Sequence, residues 1–122
     1  MIGYGLSVLG GLAFCAIGAG AILAPAFSSE QYGLATRQPD ALGYVRALGV
    51  RDLVFGGCVL ALAVARNTEG LAAVVGLTVA VGLGDFIIVA RERGSGATKS
   101  LVTHAVGTAA LLVAFGLLKA DI

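Results

Sequence analysis

The sequence predicts an all-α fold, specifically a four-helix transmembrane bundle that forms one domain. Of its 122 residues, 58% are hydrophobic and only 12% are charged. The mean hydropathy is correspondingly high, at +0.97. A soluble domain carries about 25% charged residues, so this chain has too few to cover a water-facing surface. We therefore expect a multi-pass integral membrane protein with the lipid bilayer as its main partner. The net charge of +1 gives no reason to expect nucleic-acid binding.

Four apolar stretches are long enough to cross a bilayer, which takes about 20 residues in a helix. The predicted spans cover residues 2–27, 41–65, 70–90 and 101–118. The first contains no charge, and no Lys or Arg precedes it as in a signal peptide, so we expect it to be retained.

Three polar segments connect these spans. Residues 28–39 predict a loop that could cover one end of the bundle, residues 66–69 a tight turn, and residues 91–100 a Gly/Ser-rich loop. Asp40 follows Pro39 and is expected to be the N-cap of the second helix.

An even number of spans places both termini on one side of the membrane. The opposite side would hold five basic residues, Arg37, Arg46, Arg91, Arg93 and Lys99. The terminal side would hold only Arg66 and Lys119. Basic residues concentrate on the cytoplasmic side, so both termini are predicted to be non-cytoplasmic. A homodimer remains possible.

Small residues recur at helical spacing and predict close helix contacts, because lipid gives little hydrophobic drive between helices. The stripes are Ser7/Gly11 and Ala16/Gly20 in the first span, Gly49/Gly56 in the second, Thr78/Gly82 in the third and Gly107 in the fourth.

Ionisable residues inside the spans are the candidate catalytic groups. They are Arg51 and Asp52 in the second span, Asp85 in the third and His104 in the fourth. Each costs about 2.5–3.5 kcal/mol at the centre of a membrane helix, so such groups usually face the bundle interior or a water-filled pocket. Because successive spans alternate in direction, all four are expected at similar depth, near the cytoplasmic side.

Helical periodicity also places these groups beside small residues, since positions three, four and seven apart share a face. Asp52 shares a face with Gly49 and Gly56. Asp85 shares one with Thr78 and Gly82, and His104 with Thr108. We therefore predict a pocket in which Tyr44, Gly49, Gly56, Thr78, Gly82 and Thr108 contact a bound molecule.

Simpler interpretations exist for each group. Arg51 could extend to the membrane surface, or form an ion pair with Asp52 or Asp85 that only fixes helix register. His104 could bond a loop carbonyl. The tyrosines Tyr4, Tyr32 and Tyr44 are typical of interfacial anchors, and Cys15 and Cys58 of small hydrophobic residues.

The most specific motif of the chain is the block Gly49-Val50-Arg51-Asp52-Leu53, which is followed by Gly56. The resemblance to which this motif belongs extends over nearly the full length of the chain. With Pro25, Gly33, Asp85 and His104, it resembles a family of small four-span membrane proteins of unknown function near the DoxX-like proteins. More distantly, the layout is similar to anthrone-oxygenase-like membrane proteins. The resemblance implies a four-helix bundle with polar residues at Arg51, Asp52, Asp85 and His104, and it implies no particular reaction.

These observations favour binding of a lipophilic small molecule, with acid–base chemistry such as isomerisation, cyclisation or epoxide opening. Two carboxylates beside an Arg and a His can divide into an ionised base and a protonated acid. Oxygenase-like chemistry is a variant. We expect no cofactor and no metal, because one His and two Asp fall short of an iron-binding triad. The alternatives are a proton-coupled carrier, which the lack of ionisable residues in the outer halves of the spans disfavours, and a non-catalytic accessory or structural bundle.

Overall fold

The computed structural model describes residues 1–122 and confirms the all-α prediction, since it contains helices and no strand. Four long helices carry the fold, together with one short helix and one 3-10 turn. In chain order they are α1 (Ile2–Leu23), α2 (Pro25–Tyr32), α3 (Pro39–Val64), α4 (Thr68–Arg93), the 3-10 turn (Gly94–Ala97) and α5 (Thr98–Ala120).

Three helical segments are long and apolar enough to cross a membrane, namely Ile2–Leu23, Pro39–Val64 and Thr68–Ala120. The third is 53 residues long because it runs through α4, the 3-10 turn and α5. These two helices nevertheless form an antiparallel pair, because Gly76 lies against Phe115 while Gly82 lies against Thr108. The apolar helices suit a lipid environment. The assignment of one membrane crossing to each long helix stays a prediction.

The long helices alternate in direction. Gly11 of α1 contacts Val59 of α3, whereas Gly18 contacts Gly49, so α1 and α3 are antiparallel. The amino group of Met1 lies 3.5 Å from the carboxylate of Asp121, which places both termini at one end of the bundle. We call this the terminal end, and the other, which carries α2 and the 3-10 turn, the α2 end.

The apolar core lies toward the terminal end. Its buried members are Val59, Ala63, Leu71, Ala72, Val75, Ala114 and Leu118. Tyr4 and Thr68 add a hydrogen bond there, with 2.6 Å between their side-chain oxygens. The α2 end instead buries polar side chains between the same helices.

Small residues carry much of the helix packing, as predicted, although the stripe on α1 differs in part. The buried positions of α1 are Gly3, Ser7, Gly11, Gly18 and Ala21, and those of α3 are Gly49, Asp52, Gly56, Val59 and Ala63. The predicted contribution of Ala16 and Gly107 was wrong, because both are exposed. The observed α1 stripe keeps a spacing of three, four or seven residues, which is the spacing of one helix face.

Two predicted boundaries need correction near residue 24. Helix α1 ends at Leu23, and Ala24 leaves the helical region with φ −135° and ψ 64°. Pro25 then starts α2, because proline fits the first helical position, where no N–H partner is needed. The predicted loop over residues 28–39 was therefore wrong for residues 28–32, which are helical.

The other connections are also shorter than predicted. Helix α3 begins at Pro39 with Gln38 as its N-cap, so Asp40 lies in the first turn rather than at the cap. Asn67 caps α4 by accepting a 2.9 Å hydrogen bond from the backbone N–H of Gly70. Helix α4 continues to Arg93 and only Gly94–Ala97 separates it from α5. The predicted connections were too long because hydropathy marks only the apolar part of a helix. Polar residues at the helix ends continue the helix through local hydrogen bonds.

Candidate functional site

Helix α2 folds back over one end of the bundle, and its last residues determine how. Gly33 ends the helix with φ 107°, a left-handed conformation that glycine adopts without strain. A Cβ atom at this position would lie 2.8 Å from Cγ1 of Val89 and 2.9 Å from Cβ of Ser100. Glycine therefore allows both the turn and the close approach of α2 to α4 and α5.

Two side-chain hydroxyls hold this segment in place. Ser100 of α5 donates a 3.1 Å hydrogen bond to the carbonyl oxygen of Gln31. Within the segment, Oγ of Ser29 accepts a 3.0 Å hydrogen bond from the backbone N–H of Thr36. The chain after α2 is thereby closed back onto the helix before α3 begins.

Arg51 joins the carboxylates of Asp52 and Asp85 at the α2 end of the bundle. Its Nε donates to Oδ1 of Asp52 at 3.0 Å, and its Nη2 lies 2.9 Å from the same oxygen. On α4, Asp85 accepts from Nη2 through Oδ2 at 3.2 Å and from Nη1 through Oδ1 at 3.4 Å. The guanidinium thus links α3 to α4, as the ion-pair interpretation of these residues requires.

Tyr32 extends this arrangement to α2 and α5. Its hydroxyl donates a 2.9 Å hydrogen bond to Oδ1 of Asp85. Its carbonyl oxygen accepts one from Nε2 of His104, also at 2.9 Å, and the two rings pack edge to face. We call Tyr32, Arg51, Asp52, Asp85 and His104 the polar cluster, which connects four helices.

The charges of the polar cluster do not balance when both carboxylates are ionised. Two carboxylates face one guanidinium, and the side chains of Asp52 and Asp85 are only 10% and 14% exposed. Asp85 uses both of its oxygens. Asp52 receives hydrogen bonds on Oδ1 alone, so its Oδ2 accepts none. An incompletely paired carboxylate in so little water is a strong acceptor for a proton or a hydrogen-bond donor.

Burial raises the pKa of the Tyr32 phenol above its ordinary range, and the negative charge of Asp85 adds to the effect. An anionic phenolate would face a carboxylate across a hydrogen bond in a poorly hydrated site. Tyr32 is therefore a fixed hydrogen-bond donor near neutral pH.

Three of the residues predicted to contact a bound molecule are instead buried within or between helices. A Cβ at Gly49 would lie 2.7 Å from the carbonyl oxygen of Gly18, and one at Gly56 would lie 2.6 Å from that of Gly11, so both glycines serve the α1–α3 contact. Thr78 is buried and donates to the carbonyl oxygen of Val75.

Of the other three residues predicted to contact a bound molecule, two are packed between helices and one lies on the surface. Gly82 and Thr108 lie against each other between α4 and α5, where the buried Thr108 hydroxyl has no hydrogen-bond partner. Tyr44 is exposed on the surface of α3 and makes no hydrogen bond with the polar cluster. The structure thus brings Arg51, Asp52 and Asp85 into direct contact and adds His104 through Tyr32.

Tyr32 is the residue that sequence reasoning missed, because it was interpreted as an interfacial anchor. Nothing in hydropathy separates it from Tyr44, which does lie on the surface. The one local signal is the adjacent Gly33, whose left-handed conformation ends α2 and turns the chain at this point. A metal has no evident site here, since no group of three or more His, Cys, Asp or Glu side chains lies together.

The chain matches the model of one protein family over residues 11–118, a family described as a domain of unknown function, DUF4267. The match includes every residue of the polar cluster, and the chain belongs to this family. No curated protein and no solved structure matches it. The family accords with the resemblance to an uncharacterised group, while the relationship to DoxX-like or anthrone-oxygenase-like proteins has no support from these comparisons.

Proposed function

We propose that this DUF4267 protein binds a lipophilic small molecule at the polar cluster and exchanges a proton with it through Asp52. One observation carries the proposal: Oδ2 of Asp52 accepts no hydrogen bond, although the side chain is only 10% exposed. The Thr108 hydroxyl is the buried side-chain polar atom that lacks a partner, so Oδ2 of Asp52 keeps some accessible surface through which a ligand can reach it. A ligand with a hydrogen-bond donor or a protonated amine would supply the missing partner.

The charge of the polar cluster supports the same proposal. With both carboxylates ionised and His104 neutral, two negative charges face one positive charge, which leaves a net charge of −1. A low-dielectric environment makes this excess costly, so an added proton or a cationic group is stabilised there. Asp52 is the better acceptor, because Asp85 is already bonded through both oxygens.

The surroundings support a lipophilic ligand. The outer faces of the long helices expose large apolar side chains, among them Val50 and Val54 on α3 and Leu83 and Ile87 on α4. A molecule that enters between these helices would contact these apolar faces, which favours a lipophilic compound. The side chain of Arg51 is 30% exposed, so its guanidinium can also contact a polar group of that molecule.

The chemistry that suits these groups is proton transfer without a cofactor. Asp52 as a carboxylate would remove a proton from the bound molecule and, once protonated, return it at another atom, which achieves isomerisation or cyclisation. Protonated Asp52 would equally suit the opening of an epoxide. Arg51 would stabilise negative charge that develops on a ligand oxygen during either step.

Binding of a simple lipophilic amine tests the proposal. The probe is dodecylamine, titrated into the purified protein in lipid nanodiscs, with dodecanol as the uncharged comparison. We expect Asp52→Asn to weaken dodecylamine binding by about tenfold to a hundredfold, since a hydrogen bond to a charged group is worth about 1.5–3 kcal/mol. Asp40→Asn is the matched control, because Asp40 is exposed in the first turn of the same helix. It should bind like the wild type.

Two results would contradict the proposal. Equal dodecylamine binding by wild type and Asp52→Asn would exclude Asp52 as the binding group. An Asp52→Asn protein that no longer forms a helical, monodisperse particle would favour a structural role instead.

A non-catalytic structural bundle is the second candidate, and a specific observation favours it. Arg51 contacts both carboxylates while Tyr32 contacts Asp85, so much of the polar cluster is paired within the protein. A proton-coupled carrier has less support, because the terminal half of the interior is filled by apolar residues such as Val59, Leu71 and Val75. Carriers usually place ionisable groups along the whole path.

A further inference from the structure

A cleft lies at the elbow between α1 and α2, outside the polar cluster. It has a volume of about 400 Å³ and is lined by Ala24, Pro25, Ala26, Phe27, Glu30 and Arg37. Four of these residues are apolar or small, and the remaining two carry opposite charges. None of them belongs to the polar cluster, so the cleft is a separate feature of the same end of the bundle.

The two charged side chains of this cleft are available to a ligand. Nη2 of Arg37 lies 3.5 Å from Oε1 of Glu30, at the long end of hydrogen-bond distance. The side chains are 84% and 47% exposed, respectively. Exposed ion pairs contribute very little to stability, so this pair can open at little cost to receive a partner with complementary charges.

The position of the cleft along the chain suggests where that partner comes from. The apolar helix α1, which is long enough to cross a membrane, ends at Leu23, and the cleft begins at the next residue. Phe27, which lines the cleft, and Leu23, the residue just before it, are both exposed apolar side chains. Charged groups directly after an apolar span lie at the level of lipid headgroups, and the apolar side chains beside them contact acyl chains.

We propose that this cleft binds the headgroup of a zwitterionic phospholipid that carries a primary ammonium group. Arg37 contacts the phosphate, because guanidinium groups form strong paired hydrogen bonds with phosphate oxygens. Glu30 accepts hydrogen bonds from the ammonium group, and Phe27 packs against the start of the acyl chains. The two opposite charges of the cleft thus match the two opposite charges of the headgroup.

This match separates phosphatidylethanolamine from two common alternatives. A choline headgroup carries a positive charge but no N–H, so it cannot donate a hydrogen bond to Glu30. A glycerol headgroup has no positive charge, and its net negative charge is repelled by the Glu30 carboxylate. The structure therefore favours phosphatidylethanolamine over phosphatidylcholine, and both over phosphatidylglycerol.

Native mass spectrometry of the purified protein tests this order, with the three lipids added at equal concentration and with identical acyl chains. We expect phosphatidylethanolamine to be retained most strongly by the wild type. Glu30→Gln and Arg37→Gln should each weaken its binding by roughly fivefold, because each removes one exposed charged contact with the headgroup. Glu30→Gln should also reduce the preference over phosphatidylcholine, which a general loss of affinity would not do.

Arg91→Gln is the matched control, because Arg91 is an exposed basic residue of α4 that does not line the cleft. It should retain phosphatidylethanolamine like the wild type, and circular dichroism should show equal helix content in all variants. Equal retention of the three lipids would overturn the proposal, as would equal losses in Arg91→Gln and Arg37→Gln, which would indicate a general attraction to charge. The result does not depend on ligand binding at the polar cluster.

Discussion

The hydroxyl of Tyr32 lies 2.9 Å from Oδ1 of Asp85, across 53 positions of sequence. This hydrogen bond ties the short helix α2 to the long helix α4 at the end of the bundle where the polar cluster lies. The backbone carbonyl of the same residue accepts from His104 on α5. Tyr32 therefore fixes α2 over the polar cluster from two sides, and its removal should release α2 before it affects the long helices.

Tyr32→Phe tests this role of the phenol hydroxyl. The substitution keeps the ring and its contact with His104 but removes the donor to Asp85, which should cost about 1.5–3 kcal/mol because the acceptor is charged. We expect faster amide hydrogen exchange in Pro25–Tyr32, measured by mass spectrometry, with little change in α4. Tyr44→Phe is the control, since Tyr44 is exposed. Unchanged protection of α2 in Tyr32→Phe would mean that other contacts hold the helix.

The raised pKa of Tyr32 predicts a distinct alkaline titration. Burial and the neighbouring Asp85 raise the pKa of its phenol above the ordinary value of 10.0. The unfolded chain then loses its Tyr32 proton at lower pH than the folded protein does. The contribution to stability is therefore full below pH 10 and falls as pH rises from there toward the folded-state pKa.

The ultraviolet absorbance of tyrosinate, in a band separate from the peptide signal, measures this titration directly. The chain has three tyrosines, and we expect Tyr32 to contribute a component at higher pH than a tyrosine ordinarily does. Tyr32→Phe should remove this late component, whereas Tyr44→Phe should leave it in place. A late component that persists in Tyr32→Phe would assign it to a different tyrosine.

Adjacent glycines on α3 provide a matched test of helix packing. A Cβ at Gly56 would lie 2.6 Å from both Sγ of Cys15 and the carbonyl oxygen of Gly11, whereas one at Gly57 would contact nothing within 4 Å. Gly56→Ala should therefore force α1 and α3 apart at a cost of about 1–3 kcal/mol. Gly57→Ala should be neutral or stabilise the helix by up to about 1 kcal/mol. Thermal unfolding in detergent compares them, and equal midpoints would contradict close α1–α3 contact.

The positions of Gly49, Asp52 and Gly56 show what sequence could predict. Helical periodicity alone placed these residues on one face of the second span, and they lie together on the buried face of α3. Periodicity suffices there because a helix in a bundle buries one continuous stripe. The contact of Arg51 with both aspartates was among the interpretations that the sequence left open.

Tyr32 and α2 could not be predicted in the same way. Their position depends on the left-handed Gly33 and on bonds from Ser100 and His104, which lie about 70 residues further along the chain. A polar segment of eight residues has no apolar stripe that would indicate which face is buried. Tertiary contacts rather than local pattern therefore decide its place.

Arg51 and Asp85 provide the final prediction, which separates a buried ion pair from an arginine that extends to the membrane surface. Arg51→Gln should reduce stability by about 3 kcal/mol, because two carboxylates then lose their positive partner in a poorly hydrated site. The double variant Arg51→Gln/Asp85→Asn should be more stable than Arg51→Gln alone, since it removes one of the unpaired charges. Arg46→Gln is the control, because Arg46 is exposed on the same helix, and it should change the stability little. Unfolding of the wild type, Arg51→Gln, Asp85→Asn and the double variant gives the interaction energy of the pair. Additive losses would mean that the two groups act independently, and Arg51 would then serve only as an interfacial anchor.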